Sequence, residues 1–333
     1  MPERLKHRFR FSTWLVPLCA ITLQFASARP TVAEDAVLLR YKAAPGDRQI
    51  YRSRTEMKQT QRIGELDIEQ KLTAEQTCSR TVLAVDERGL MQLKLKNERL
   101  TFEGTFGPSG EYQFDSTSDE RDTASVLGAA LTPVFERLSD GAFQVAVSPR
   151  GEVTEAKGLA EMLGDLLENN PIAVQLTSGG SDAAAKFSVQ DQFVVLPENP
   201  VRPGDTWEVP WEIALPKLGT TKGKKSFRFL GLDKTGPRPT ARIECTTEMS
   251  FDVNIDMGDA RVTGTAAVTS SSCTIRFDVA AGRLSSSVGT VRLAGDLIVT
   301  TGGQSIAIKT DQTQKTTIEL LDKLPETAKK KGL

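Results

Sequence analysis

Four cysteines, one histidine and a few closely spaced carboxylates are the side chains of this 333-residue chain whose types could carry chemistry. The histidine, His7, lies among Arg4, Lys6, Arg8 and Arg10, ahead of the short apolar run of residues 14–26 and the small-x-small sequence Ala26-Ser27-Ala28. That order is the pattern of a secretory signal peptide, so residues 1–28 are expected to be removed. Removal would leave no imidazole, and with it no Ser-His or Cys-His nucleophile pair and no histidine metal ligand. Cys19 leaves with the same segment. Cys78, Cys245 and Cys273 then remain, without C-x-x-C zinc spacing and with at most one internal disulfide among them.

The carboxylates fall in two groups. Asp252-x-Asn254-x-Asp256 has the opening spacing of a calcium loop, but Met257 stands where the glycine belongs and Thr263 where the glutamate belongs. The alternation of Val253, Ile255 and Met257 between them reads instead as the polar face of a strand. Asp115, Asp119, Glu120 and Asp122 have the density of a glycosidase acid pair. They read more simply as a strand end running into an acidic helix N-terminus. Trp207 and Trp211, flanking Pro210, are candidate ligand-groove aromatics, with an edge strand holding one tryptophan in the core as the plainer reading. Lys222-Gly223-Lys224-Lys225 reads as a solvated basic turn. G-x-S-x-G, Walker-type and G-x-G-x-x-G sequences are absent. No catalytic, metal-binding or cofactor-binding residue is assigned.

The elements that must position these residues are mainly β. Period-2 alternation separated by glycine turns predicts long antiparallel meanders, with two helices inserted near the middle, over 119–138 (with a break near Pro133) and 157–169. Ala44-Pro45-Gly46-Asp47 and Arg202-Pro203-Gly204-Asp205 open two similar stretches, with Phe114-Asp115 and Phe277-Asp278 as second matching marks. The chain is therefore divided into the signal peptide 1–28, a first β unit at 36–176, a linker at 177–196, a second unit at 197–322 and a basic tail at 323–333.

A Gly258-Asp259 turn sets Ile255 opposite Val262, Val253 opposite Gly264 and Phe251 opposite Ala266. The parity change beyond them requires a bulge within Thr269–Ser272, which brings Cys273 opposite Cys245, close enough for a disulfide. A Gly302-Gly303 turn likewise returns Ile306 and Ile308 opposite Val299 and Leu297. The threonine- and glutamine-rich run at 310–317 reads as strand facing solvent or a wet concavity.

The net charge of −1 includes four cations and one anion in residues 1–28, so the remainder is near −4 and carries no electrostatic footprint for nucleic acid. No segment beyond the leader is long and apolar enough to span a bilayer as a helix.

The marks PGD, YxFDS and SPRGEV within 45–153, RPGDTWEVP at 202–210 and FDVAAGRL at 277–284 resemble an uncharacterised family of secreted bacterial proteins without an established activity. The architecture more distantly resembles the periplasmic lipoprotein-carrier scaffold. That resemblance implies an apolar cavity for acyl chains and no catalytic motif. The expectation is a non-enzymatic, extracytoplasmic cell-envelope protein that binds a lipid-like ligand on a curved sheet, without a cofactor. The alternatives are a structural or protein-interaction module with an envelope partner, and a carboxylate-based glycan hydrolase.

Overall fold

The computed structural model describes residues 35–158, 161, 162, 164, 166, 182–215, 219–236, 238–256 and 260–326. The signal-peptide reading, most of the helix read over 157–169 and residues 327–333 of the tail lie outside them. Twelve strands form one antiparallel sheet: β1 (Arg48–Ile63), β2 (Leu66–Val85), β3 (Met91–Phe106), β4 (Glu111–Asp115), β5 (Ala142–Val147), β6 (Val153–Lys157), β7 (Thr206–Leu215), β8 (Gly219–Asp233), β9 (Thr240–Asp256), β10 (Ala260–Asp278), β11 (Arg283–Thr301) and β12 (Gln304–Leu321). Their order is β6-β5-β3-β2-β1-β12-β11-β10-β9-β8-β7, with β4 paired to β3 beside this path. The two similar stretches therefore share one continuous sheet, joined where β1 pairs β12 from Ile50↔Leu321 to Ile63↔Ile308.

Local sequence dictates the hairpins. The alternation of β9 and β10 gives the expected register, Val262↔Ile255, Val253↔Gly264 and Phe251↔Ala266. The bulge falls at Thr269, between Val268 and Ser270 on the β11 side, and places Cys273 opposite Cys245. Ile306 and Ile308 face Val299 and Leu297. The turn at 257–259 itself lies outside the described residues.

Both Pro-Gly-Asp turns are built alike. Asp47 accepts the Ala44 N–H at 2.8 Å and Asp205 accepts the Arg202 N–H at 2.8 Å. Gly46, at φ +90°, donates to the Val82 carbonyl at 2.9 Å, and Gly204, at φ +98°, donates to Phe229 at 2.8 Å. A one-residue register shift follows each docking point, Val82/Ala84 and Phe229/Gly231. The second pair of marks corresponds differently from the sequence reading. Phe114 lies on the short β4 flap opposite Phe102, whereas Phe277 lies on β10 opposite Ala241. β5, not β4, stands where β10 stands, with Val145 opposite Leu93 as Ile275 is opposite Ile243.

Two α-helices are described end to end, α1 (Val126–Asp140) and α2 (Asp182–Gln190); residues 161, 162, 164 and 166, within the helix read over 157–169, are helical too. α1 starts later than the sequence suggests. Ser125 is its N-cap, accepting the Gly128 N–H at 2.9 Å, and Asp122 braces the turn before it through the N–H groups of Ala124 and Ser125. The helix also continues through Pro133. The ring projects outward into solvent, while Leu127, Leu131 and Phe135 pack on Phe102, Tyr112 and Phe114 of β3 and β4. That packing offsets the backbone bond Pro133 cannot make. α2 arises within the stretch read as a linker, and Phe193, Val194 and Leu196 just beyond it are buried in the main core.

The sheet curls, and α2 shows by how much. Gln190 Oε1 accepts the Val153 N–H of β6 at 2.7 Å, while the next residue, Asp191, bonds Lys225 Nζ of β8 at 2.6 Å. β6 and β8 lie nine strand spacings apart in the sheet, roughly 40 Å if it were flat. Adjacent residues can reach both only if the two edges turn toward each other. The core lies inside this curl at one end, where Leu39, Tyr41, Phe193 and Leu196 fill the space between Val145 of β5, Tyr51 of β1 and Phe229 of β8. Arg80 is buried there between the rings of Tyr51 and Phe193, its guanidinium 4.0 and 4.4 Å from their centroids.

Candidate binding face

Directly opposed residues of antiparallel strands share a face, so the registers sort the whole sheet into an inner and an outer surface. The outer surface is charged and laced by cross-strand pairs: Arg52–Glu319 at 2.7 Å, Arg62–Asp67 at 2.7 Å, Arg54–Glu75 at 3.6 Å and Arg292–Asp311 at 2.6 Å. Asp252, Asn254 and Asp256 belong to this surface, and Asn254 is held by Arg261 at 3.0 Å.

The inner surface has three zones along the strands. The first is the core just described. The second is a patch of uncharged polar side chains confined to β1 and β12, Thr55, Gln59 and Gln61 with Thr310, Gln312, Gln314 and Thr316, interrupted by Met57 and flanked by Leu72 on β2 and Val291 and Leu293 on β11. Its members bond one another, Gln59 to Thr310 at 3.1 Å and Thr55 to Thr316 at 3.3 Å. This is the threonine- and glutamine-rich run of the sequence, and its amides face the concavity. The third zone is apolar and half-buried: Ile63 and Ile68 on β1 and β2, Ile308 on β12, Leu297 and Val299 on β11, and Val262 on β10. Leu66 and Ile306 at its rim are 59% and 43% exposed. Among the described residues α1 covers β3 and β4 and α2 covers β6 and β7, while the short 3₁₀ turn Gly107–Ser109 meets the third zone at Ile68 on β2.

The predicted aromatics both point inward. Trp207 stacks on Phe227 at 5.2 Å between centroids and donates its indole N–H to the Val195 carbonyl at 2.9 Å, which makes it core. Trp211 lies over Gly223, where a Cβ would come within 2.2 Å of the indole, and beside Phe187 of α2 at 4.8 Å. Its indole nitrogen is buried without a hydrogen-bond partner among the described residues. The tryptophans thus bracket the α2 seam, away from the apolar zone. Sequence reasoning missed that zone as a site because it is assembled from five strands, each of which shows only ordinary alternation.

Within the acidic group, Asp115 and Asp122 hold separate structural bonds. Asp115 accepts from Arg99 at 2.6 Å and from the Thr117 N–H and hydroxyl at 2.9 and 2.8 Å. Burial opposes its charge, but these bonds prevail and bring its carboxyl to about 2. An acid that strong cannot protonate a leaving group near neutral pH.

Lys222, Lys224 and Lys225 occupy the middle of β8 rather than a turn. Lys224 pairs with Glu208 at 2.9 Å on the outer surface, and Lys225 reaches Asp191 on the inner one. Cys78 is buried beside Tyr51, and burial lifts its thiol to about 11. Cys245 and Cys273 stand opposite each other on the inner surface as free thiols.

No curated protein sequence matches the chain. Among solved structures it is similar to lipovitellin, from a study of lipid–protein interactions, at 13% identity and a TM-score of 0.44. That match covers 84% of this chain, which spans only 25% of the length of lipovitellin. It is also similar to DynF of the dynemicin biosynthesis pathway of Micromonospora chersina, at 9% identity and a TM-score of 0.21, covering 87% of this chain and 89% of that one. A DUF1329 family protein from Desulfovibrio piger is similar at 8% identity and a TM-score of 0.15, covering 83% and 88%. Residues 88–229, from the turn before β3 to the docking point on β8, match a family of unknown function, DUF6263.

Proposed function

We propose that this protein is a non-enzymatic, extracytoplasmic carrier that takes an apolar, lipid-like ligand against the inner surface of its curled sheet. The observation that carries the reading is the third zone: an apolar, charge-free surface on the inside of the curl, set off from the core on β1 and β12 by uncharged polar side chains, while the outer surface of the same strands carries charged pairs. A hydrocarbon chain laid there would remove half-exposed Ile, Leu and Val surface from water, worth about 25 cal/mol per Å². The amides and hydroxyls of those polar side chains would meet the ligand's polar end. The extracytoplasmic setting rests on the basic, then apolar, then small-residue order of residues 1–28.

The test is a native mass spectrum of the full chain, purified without detergent, beside a denaturing spectrum and an organic extract. The expected result is extra mass that is lost on denaturation and recovered as an apolar molecule. Leu297→Glu and Ile308→Glu, which place charge in the middle of the zone, should lower its occupancy at least tenfold while the circular dichroism stays unchanged. A bare polypeptide mass, or occupancy indifferent to both substitutions, overturns the reading.

A further inference from the structure

Cys245 and Cys273 are more than two small residues filling a core. The first stretch of the sheet contains the matching position, because Leu95 opposes Phe143 where Cys245 opposes Cys273. Leu95 pairs Arg80 two residues before one docking point, as Cys245 pairs Phe227 two residues before the other. Hydrocarbon therefore satisfies the packing there, and the thiols of the second stretch are an addition to the fold.

The second stretch also surrounds them with polar groups that a core does not need. Lys225 projects from β8 onto the same inner face, partly buried and paired with Asp191 from the end of α2 at 2.6 Å. Ser287 Oγ of β11 lies 3.6 Å from Cys273 Sγ. Gly289, directly opposite Cys273, leaves its sulfur beside a position with no side chain. Cys273 is less deeply buried than Cys245.

We propose that Cys245 and Cys273 form an exchange-active dithiol–disulfide couple in which Cys273 is the attacking sulfur, Cys245 the resolving one, and Lys225 a positioning residue that holds the thiolate. Directly opposed strand residues lie within the Cα separation a disulfide accepts. The oxidant is a low-molecular-weight disulfide. The Cys273 thiolate attacks one of its sulfurs, that S–S bond breaks, and the first thiolate leaves. Cys245 then gives its proton to solvent and attacks the Cys273 sulfur, expelling the second thiolate. Two protein thiols lose two electrons, and one external disulfide becomes two thiols.

The electrostatics agree with this assignment. A hydrogen bond from the Cys245 thiol brings Cys273 down, against burial and with help from Ser287 and Lys225. The same bond pushes Cys245 upward. Burial disfavours the Lys225 ammonium, but Asp191 more than restores it. Lys225, Cys245 and Ser287 act on Cys273 from β8, β9 and β11, while Asp191, just past the end of α2, acts on Lys225 and Cys245.

The test uses the full chain, reduced and then exposed to glutathione disulfide at pH 7, with the cysteines followed by alkylation and peptide mass. Cys245 and Cys273 should become linked while Cys78 stays alkylatable on unfolding. Cys245→Ser should trap one glutathione on Cys273, and Cys273→Ser should react at least tenfold more slowly. In the Cys245→Ser background, Lys225→Gln should slow the trapping and move its pH midpoint upward, and Lys225→Arg should restore both. Equal reactivity of the two single cysteine variants, oxidation of Cys78 at the same rate, or no linkage between Cys245 and Cys273 overturns the proposal. Lipid occupancy of the reduced and oxidised protein is a separate readout, so this couple stands or falls independently of the carrier function.

Discussion

Asp115 is a carboxylate that looks chemical in a sequence and is structural in place. It sits where β4 ends, and its four bonds to Arg99 and Thr117 hold the chain as it leaves for α1. Its folded-state value, about 2, lies below the ordinary 3.8. Stability from these bonds is therefore complete above pH 3.8 and is lost as the pH falls toward 2. Asp115→Asn should remove that part of the acid limb. It should cost about 1 kcal/mol at neutral pH after allowance for solvent screening, read as the denaturant midpoint against pH. The tryptophans make the complementary point. Both were legible as candidates, but spacing along one strand cannot say whether a ring meets a ligand or the chain's own helix. Trp207 met Val195 and Phe227, and Trp211 met Phe187.

At the scale of elements, the hairpins were legible with their registers, α1 was legible except for its start, and α2 was not read. A strand of period 2 next to a glycine turn carries its own register, so the β9–β10 and β11–β12 pairings, and even the bulge at Thr269, follow from residues a few positions apart. The start of α1 was misplaced because Asp119, Glu120 and Asp122 imitate an acidic first turn, while the true cap is the later Ser125. α2 was missed because its neighbours Ser178-Gly179-Gly180-Ser181 advertise a loop. Pro133 marks the cost of a helix kept by packing. Its ring faces solvent, so Pro133→Ala should return the missing backbone bond without opening a cavity. The expected gain is about 1 kcal/mol or more, measured as a raised unfolding midpoint.

At the scale of the molecule, the curl depends on a short seam. Gln190 accepts from Val153 and donates to the Gly151 carbonyl at 2.9 Å, so Gln190→Ala leaves two backbone groups of β6 and its turn without partners. The expected penalty is about 2 kcal/mol, with faster hydrogen exchange at β6 and β7 while β10–β12 stay protected. None of this was legible from local pattern, because a seam joins strands that no turn connects. The same holds for the pairing of β1 with β12, and that joint has a consequence in time. Fourteen residue pairs there link the first strand of the sheet to the last. A chain emerging N-terminus first can fold its meanders one hairpin at a time, but the middle of the sheet waits for residues 304–321. The relative contact order is correspondingly high, and completion of the sheet should be the slow step of refolding. Until that last strand arrives, the edges of β1 and β11 lie open to other chains.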